Sequence, residues 1–288
     1  MNRSYVSGHC AAFVFVLSTT TASHGGDTKY DLIYKFSTGD VIRYEVEHRM
    51  SIRNTIDKET QLATSETKSV KAWRILDVLP DDQIELMNMV EQVYMKNRLP
   101  DLDNQIYDST KDKIPPPGFE DAARAVGVPI SILRMSPQGE ILDRKMQIHQ
   151  PAADPDALIT VQLPEEPVAI DETWDEPLRV TVQLKEGGTR AIQARRHYKL
   201  KDVKHDVATI ELSYQILSPI NAYLEAQLIQ RFMNGTVRFD IAAGRILSQE
   251  MKVDRRVLGY AGPTSSMHYV MQMKERLLED VPEVAQKP

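Results

Sequence analysis

The sequence has almost no cysteine: among its 288 residues the single one is Cys10. One thiol forms no intramolecular disulfide, so the fold must draw its stability from core burial. Metal-binding spacings are missing as well. The seven histidines form no H-x-x-x-H or H-E-x-x-H pair and no C-x-x-C occurs, which excludes a locally encoded zinc site. There is no P-loop, no G-x-G-x-x-G turn and no G-x-S-x-G elbow, so the common phosphate-binding and serine-nucleophile arrangements are excluded too. Net charge is small, −6 from 35 basic and 41 acidic residues. Such a balance has no global attraction for nucleic acid or anionic lipid.

What is present is ordinary globular composition, 42% hydrophobic and 26% charged, which excludes a disordered tail protein. At the N-terminus, Arg3 precedes the apolar run Ala11 to Leu17 and the small residues Ser18 to Ser23. This order predicts a secretory signal over residues 1–23, cleaved after Ala22 or Ser23. The apolar run is too short to span a bilayer. Cys10 precedes that run, whereas a lipid-anchor cysteine follows it, so it leaves with the signal. The expected product is an exported chain, periplasmic or extracellular, with no thiol and no transmembrane segment.

The sequence also contains an internal echo. Trp73-Arg74-Ile75-Leu76-Asp77-Val78, followed by Ile84-Glu85-Leu86, returns as Tyr198-Lys199-Leu200-Lys201-Asp202-Val203, followed by Ile210-Glu211-Leu212. Gly139-Glu140-Ile141-Leu142 with Met146 returns as Gly244-Arg245-Ile246-Leu247 with Met251, and Asp40 and Tyr44 have a looser echo in Asp171 and Trp174. Repeats of this kind are supersecondary units that complete one another's cores. The units expected are residues 27–150 and 151–280, followed by a polar tail at 281–288.

Period-2 alternation predicts long half-buried strands. They cover residues 40–53, 67–79, 83–96, 129–135 and 141–149 in the first unit. In the second they cover 179–184, 189–203, 207–216, 245–258 and 266–276, with a helix over Met271 to Leu278 as the alternative at the end. Asn54 to Gln61 reads as a turn and Asp101 to Lys113 as polar loop. One short helix is expected in each unit. Phe119 to Val126 stops at Gly127, and a second helix is capped by Ser218-Pro219, has Ile220, Leu224, Leu228 and Phe232 at spacing four, and is closed by Asn234-Gly235. The expected fold is α+β and mainly antiparallel, two tandem units of long amphipathic strands forming curved sheets.

Candidate sites are few. On the strand at 83–96, Met87, Met89, Val93 and Met95 read as an apolar stripe opposite Ile84 and Leu86. A strand with two apolar faces is covered on both sides or carries a bulge, and the stripe is the candidate ligand surface. Met87, Met89, Met267, Met271 and Met273 are soft donors of the kind that hold copper, although methionine more often fills irregular core space. His48 interrupts an apolar strand face. The acidic run Asp101, Asp103, Asn104, Asp108 and Asp112 spaces oxygen donors as a calcium loop does. Ile106 stands where such a loop needs glycine, and Asp112 where it needs glutamate, so a solvated acidic loop is the better reading. No catalytic residue, metal or cofactor is assigned.

The stretch Tyr34-Lys35-Phe36-x-x-Gly39-Asp40-x-x-Arg43-Tyr44, with Trp73 to Val78, Pro164-Glu165-x-Pro167-Val168, Trp174 and Gly244-Arg245-Ile246, resembles a family of exported bacterial proteins known only as a domain of unknown function. The strand and helix order is also similar, by architecture, to the half-barrel carriers of bacterial lipoproteins and lipids. Neither resemblance implies an activity. The expected function is a non-enzymatic exported binding or cell-envelope protein whose partner is an apolar small molecule or lipid. The alternative is an envelope hydrolase assembled from distant residues.

Overall fold

A computed structural model describes residues 28–100, 102–148 and 160–278; the expected signal at 1–23 and the tail at 281–288 lie outside the described residues. The strands are β1 (Lys29–Tyr30), β2 (Val41–Ile56), β3 (Glu59–Val78), β4 (Ile84–Arg98), β5 (Gln105–Asp108), β6 (Pro129–Met135), β7 (Ile141–Met146), β8 (Val168–Ala169), β9 (Thr173–Gln183), β10 (Thr189–Lys204), β11 (Val207–Ile216), β12 (Asn234–Asp240), β13 (Arg245–Leu258) and β14 (Ser266–Leu277). Helix α1 (Glu120–Ala125) follows β5, and α2 (Ala222–Leu228) follows β11.

Twelve strands form one open, curved antiparallel sheet in the order β7-β6-β4-β3-β2-β14-β13-β12-β11-β10-β9, with β5 beside β4; β1 and β8 make a separate pair. The first run, β2-β3-β4-α1-β6-β7, is an antiparallel meander with its helix before the fourth long strand. The second run, β9-β10-β11-α2-β12-β13, has the same order. Strand β14 lies between them, paired to β2 on one side and β13 on the other, so the two runs share a single sheet.

The runs also agree in their irregularities. Leu76 in β3 and Lys201 in β10 are each an extra residue in the ladder to the next strand, and Leu142 in β7 and Leu247 in β13 are likewise extra. Gly39 (φ 93) donates its N–H to the Ile75 carbonyl, and Asp171 (φ 71) donates to that of Leu200. The ladders correct the sequence alignment in two places. Ile84 faces Val78 while Ala208 faces Val203, so Ile84 matches Ala208 and not Ile210. The displacement is two residues, which leaves every side chain on the same face and is invisible to hydrophobic pattern. Similarly, Trp174 faces Tyr198 as Ile42 faces Trp73, so Trp174 matches Ile42 rather than Tyr44.

One end of the inner face holds the main core. Ile42, Tyr44, Trp73, Ile75, Leu86 and Leu133 from the first run meet Tyr198, Leu200, Ile210, Val237, Phe239 and Ile246 from the second, closed over by Leu32, Tyr34, Val161 and Leu163. The segment around Tyr34 bridges matched hairpin turns. Tyr34 donates its N–H to the Pro137 carbonyl at 2.8 Å, and Lys35 to that of Gly244 at 3.0 Å. A Cβ on Gly139 would lie 2.6 Å from the Tyr34 ring, and one on Gly244 2.5 Å from the Lys35 side chain. The Tyr34 motif and both turn glycines are therefore parts of one closure.

Several local expectations are corrected. Asn54 to Gln61 is not a turn but the tip of a hairpin. Only Asp57 and Lys58 turn, both with positive φ (48° and 72°), while Ile56 already pairs with Glu59; at such a tip both faces meet solvent, which hides the alternation. The loop at 101–113 contains β5. Asn221, not Ser218, caps α2, its side chain accepting the Leu224 N–H at 3.0 Å. Asn234-Gly235 does not close that helix but opens β12, where a Cβ on Gly235 would collide with the Glu250 carbonyl and the Met251 side chain. The strand expected over 266–276 is present as β14, so the alternative helix over Met271 to Leu278 does not form.

Candidate functional site

Halfway along the inner face the two runs carry matched cations, each two residues before the aromatic that anchors its strand. Lys71 Nζ lies 2.5 Å from Glu275 of β14, 5.1 Å from the Tyr44 ring centroid and 5.3 Å from that of Trp73. Gln249 Nε2 donates to the same carboxylate at 2.9 Å. Arg196 lies 2.5 Å from Glu176 of β9, whose other oxygen accepts from the Tyr198 hydroxyl at 2.7 Å. Burial, then the neighbouring carboxylate, pushes the Tyr44 and Tyr198 phenols well above their ordinary range. They are neutral packing groups, and each carboxylate is engaged by a cation and a second donor. These clusters tie strands together across the sheet.

The expected methionine stripe is split. In β4, Val90 faces Lys71 and Gln92 faces Val70, so Glu91 is an extra residue that reverses the alternation. Met87, opposite Arg74, and Met89, opposite Ala72, lie on the outer face. Val93, opposite Ser69, and Met95, opposite Thr67, lie on the inner one. Met89 is buried and Met87 partly exposed. The apolar surplus on this strand is divided between the two faces at the bulge, so the four residues do not form a common surface.

Beyond the two ion-pair clusters the runs differ. In the second, Val180, Val182, Ile192, Ala194 and Tyr214 are buried with Leu224 and Leu228 of α2. In the first, α1 is only six residues long and serves the side of β4 and β5, where Phe119 stacks on Tyr107 with centroids 6.0 Å apart and packs with Val93. The inner face of β2 and β3 stays partly exposed. Val46, His48, Met50 and Ile52 stand on β2, while β3 presents only the short side chains of Ala63, Ser65, Thr67 and Ser69. Ser65 donates to Asn97 across the ladder at 2.8 Å.

The methionines that do converge came from strands whose pairing has no local signal. Met50 directly faces Met271 and His48 faces Met273 across the β2–β14 ladder. Met50, Met267 and Met273 pack with Met233 around Met271 and Ile229. Among the described residues His48 has no hydrogen bond or ion pair, and burial pushes its pKa down.

Three open grooves among the described residues are lined mostly by charged and polar side chains. One of about 210 Å³ lies among Glu45, Lys68, Gln92, Val93 and Asp108. Another of about 330 Å³ lies among Arg49, Glu66, Lys96 and Arg98, and a third of about 360 Å³ among His197, Lys199, Glu211 and Lys252. None of the three is lined by Met87 or Met89. In the acidic loop Asp108 accepts from the Thr110 N–H and hydroxyl and from Lys111 Nζ, which holds its carboxyl down at about 2. Asp112 accepts the Asp108 N–H. Asp101 lies outside the described residues, and among those described no three His, Cys, Asp or Glu side chains gather as a metal group.

No family model matches the chain, and no curated protein does; the likeness to an exported family rests on its motifs. A solved structure describing lipid–protein interactions in lipovitellin is similar over 88% of this chain at 14% identity, with a TM-score of 0.49. This chain spans about a quarter of that one, 27% of its length.

Proposed function

We propose that the chain is a non-enzymatic exported binding protein, built by tandem duplication, that holds an apolar or amphiphilic molecule along β3 in the first run. The observation that carries this reading is the unequal covering of the inner face. At the β10 positions matching Thr67 and Ser69, the second run has Ile192 and Ala194, buried beneath α2. The first run has short side chains there, partly exposed. They form a floor between taller walls, Val46, Met50 and Ile52 on one side and Val93 and Met95 on the other. A partly exposed sheet face with a short-chained floor, apolar walls and a few polar groups such as His48 and Asn97 at its edge suits an extended hydrocarbon. Methionine walls adapt to varied partners.

Export rests on the order of residues 1–23. Intact-mass measurement on protein from the native host is expected to give a chain lacking those residues. Native mass spectrometry of the same material tests binding, with a non-covalent adduct removed by organic solvent as the expected result. A bare chain that also leaves the fluorescence of a dansyl fatty acid unchanged would overturn the reading.

A further inference from the structure

We infer a binding site for a soft monovalent cation, Cu(I) or its redox-inert analogue Ag(I), formed by His48, Met50, Met271 and Met273 on the inner face between β2 and β14. The register supplies the geometry. Met50 and Met271 are direct cross-strand partners, as are His48 and Met273, and the two pairs are successive on one face. Directly opposed side chains have Cβ atoms about 4.5–5.5 Å apart, and successive same-face residues along a strand are about 7 Å apart. Three thioethers and an imidazole on a rectangle of that size reach a common point, since methionine has three rotatable side-chain bonds. The donor set is specific in its softness. Thioether sulfur selects Cu(I) among biological metals, and imidazole suits copper equally. Hard ions such as calcium and magnesium find no carboxylate among these four residues.

Two further observations separate this cluster from ordinary core. His48 is a partly exposed imidazole with no hydrogen-bond or ion-pair partner among the described residues, which leaves a ring nitrogen to ligate an ion. The corresponding positions in the second run are Val180 and Val182, buried against α2, so side chains of plain packing character serve at the same points of the matching strand. Met50 and Met273 are partly exposed while Met271 is buried, which gives an ion a way in from the inner face. Binding is coordination only, with no change in oxidation state. The site shares His48, Met50 and Met273 with the surface proposed for the apolar ligand, and its test reads metal retention, which the apolar ligand does not require.

The test is titration of the full chain with silver nitrate in chloride-free buffer, read by native mass spectrometry and by the methyl signals of 13Cε-labelled methionine. The expected result is one retained ion per chain, with the Met50, Met271 and Met273 methyl signals displaced and those of Met87 and Met89 unmoved. Met50→Leu with Met273→Leu is expected to abolish retention, and His48→Gln to weaken it, with thermal midpoints near that of the parent. Should the double variant fail to fold, the parent spectra decide alone. No retained ion, or displacement confined to methionines outside this cluster, would overturn the inference.

Discussion

At the scale of single residues, burial and charge make firm demands. Trp73 is 1% exposed, edge-on to both Phe36 and Tyr44, so Trp73→Ala is expected to cost about 3–5 kcal/mol in urea unfolding. A loss below about 1 kcal/mol would show that the site collapses without strain. Glu275 is 4% exposed and depends on Lys71 and Gln249. Lys71→Met leaves a buried carboxylate without its cation, at an expected cost of about 3–5 kcal/mol, whereas adding Glu275→Leu is expected to recover most of it. A double variant no better than the single one would show that the pair does not act as a unit. Asp108 makes a milder demand. NMR titration is expected to place its midpoint at about 2, so the loop contacts it anchors persist above the ordinary carboxylate pKa of about 3.9 and are lost as pH falls through about 2. Lys111→Met should raise that midpoint, and an unchanged midpoint would contradict the assigned cause. Trp73 was legible in the sequence as an apolar anchor in an alternating strand. The pairing of Lys71 with Glu275 was not, because its partners are 204 positions apart in a sequence that gives no sign of which strands are neighbours.

At the scale of elements, alternation located most of the strands, and the limits of alternation explain the errors. A period of two cannot reveal a bulge when the residues on both sides are apolar, and so Met87 and Met89 read as continuous with Val93 and Met95. Glu91 was the available signal: a charged residue at the point where the pattern changes sides, ion-paired in the structure with Arg43 at 2.8 Å. Nor can a period of two detect the two-residue displacement between β4 and β11. Glycine carried more information than hydrophobicity at the turns. Gly187 has φ 96 with open space around it, while Gly244 has φ 61 and the Lys35 backbone N 2.5 Å from any added Cβ. Gly187→Ala is expected to cost about 1–2 kcal/mol from backbone conformation alone, and Gly244→Ala more, because Lys35 must also move. Equal losses in thermal unfolding would mean that the Tyr34–Lys35 closure yields without resistance.

At the scale of the whole molecule, the two runs have the same strand order, share two bulged positions and carry a cation at the same place, Lys71 in one and Arg196 in the other; α2 packs on the strands that match β2 and β3, whereas α1 packs only beside β4 and β5. The sequence foretold two short helices but not this inequality, which depends on where α1 and α2 dock and on the insertion of β14 between the runs. The central claim is that the uncovered inner face along β3 receives an apolar molecule. It is tested most directly by adding a stearic acid bearing a nitroxide to the 13Cε-methionine-labelled chain and recording which methyl signals broaden. The account predicts saturable broadening of Met50, Met95 and Met273 on the inner face, with Met87 and Met89 on the outer face unaffected. Broadening that is strongest at Met87 and Met89, or no saturable broadening at any methionine, would contradict it.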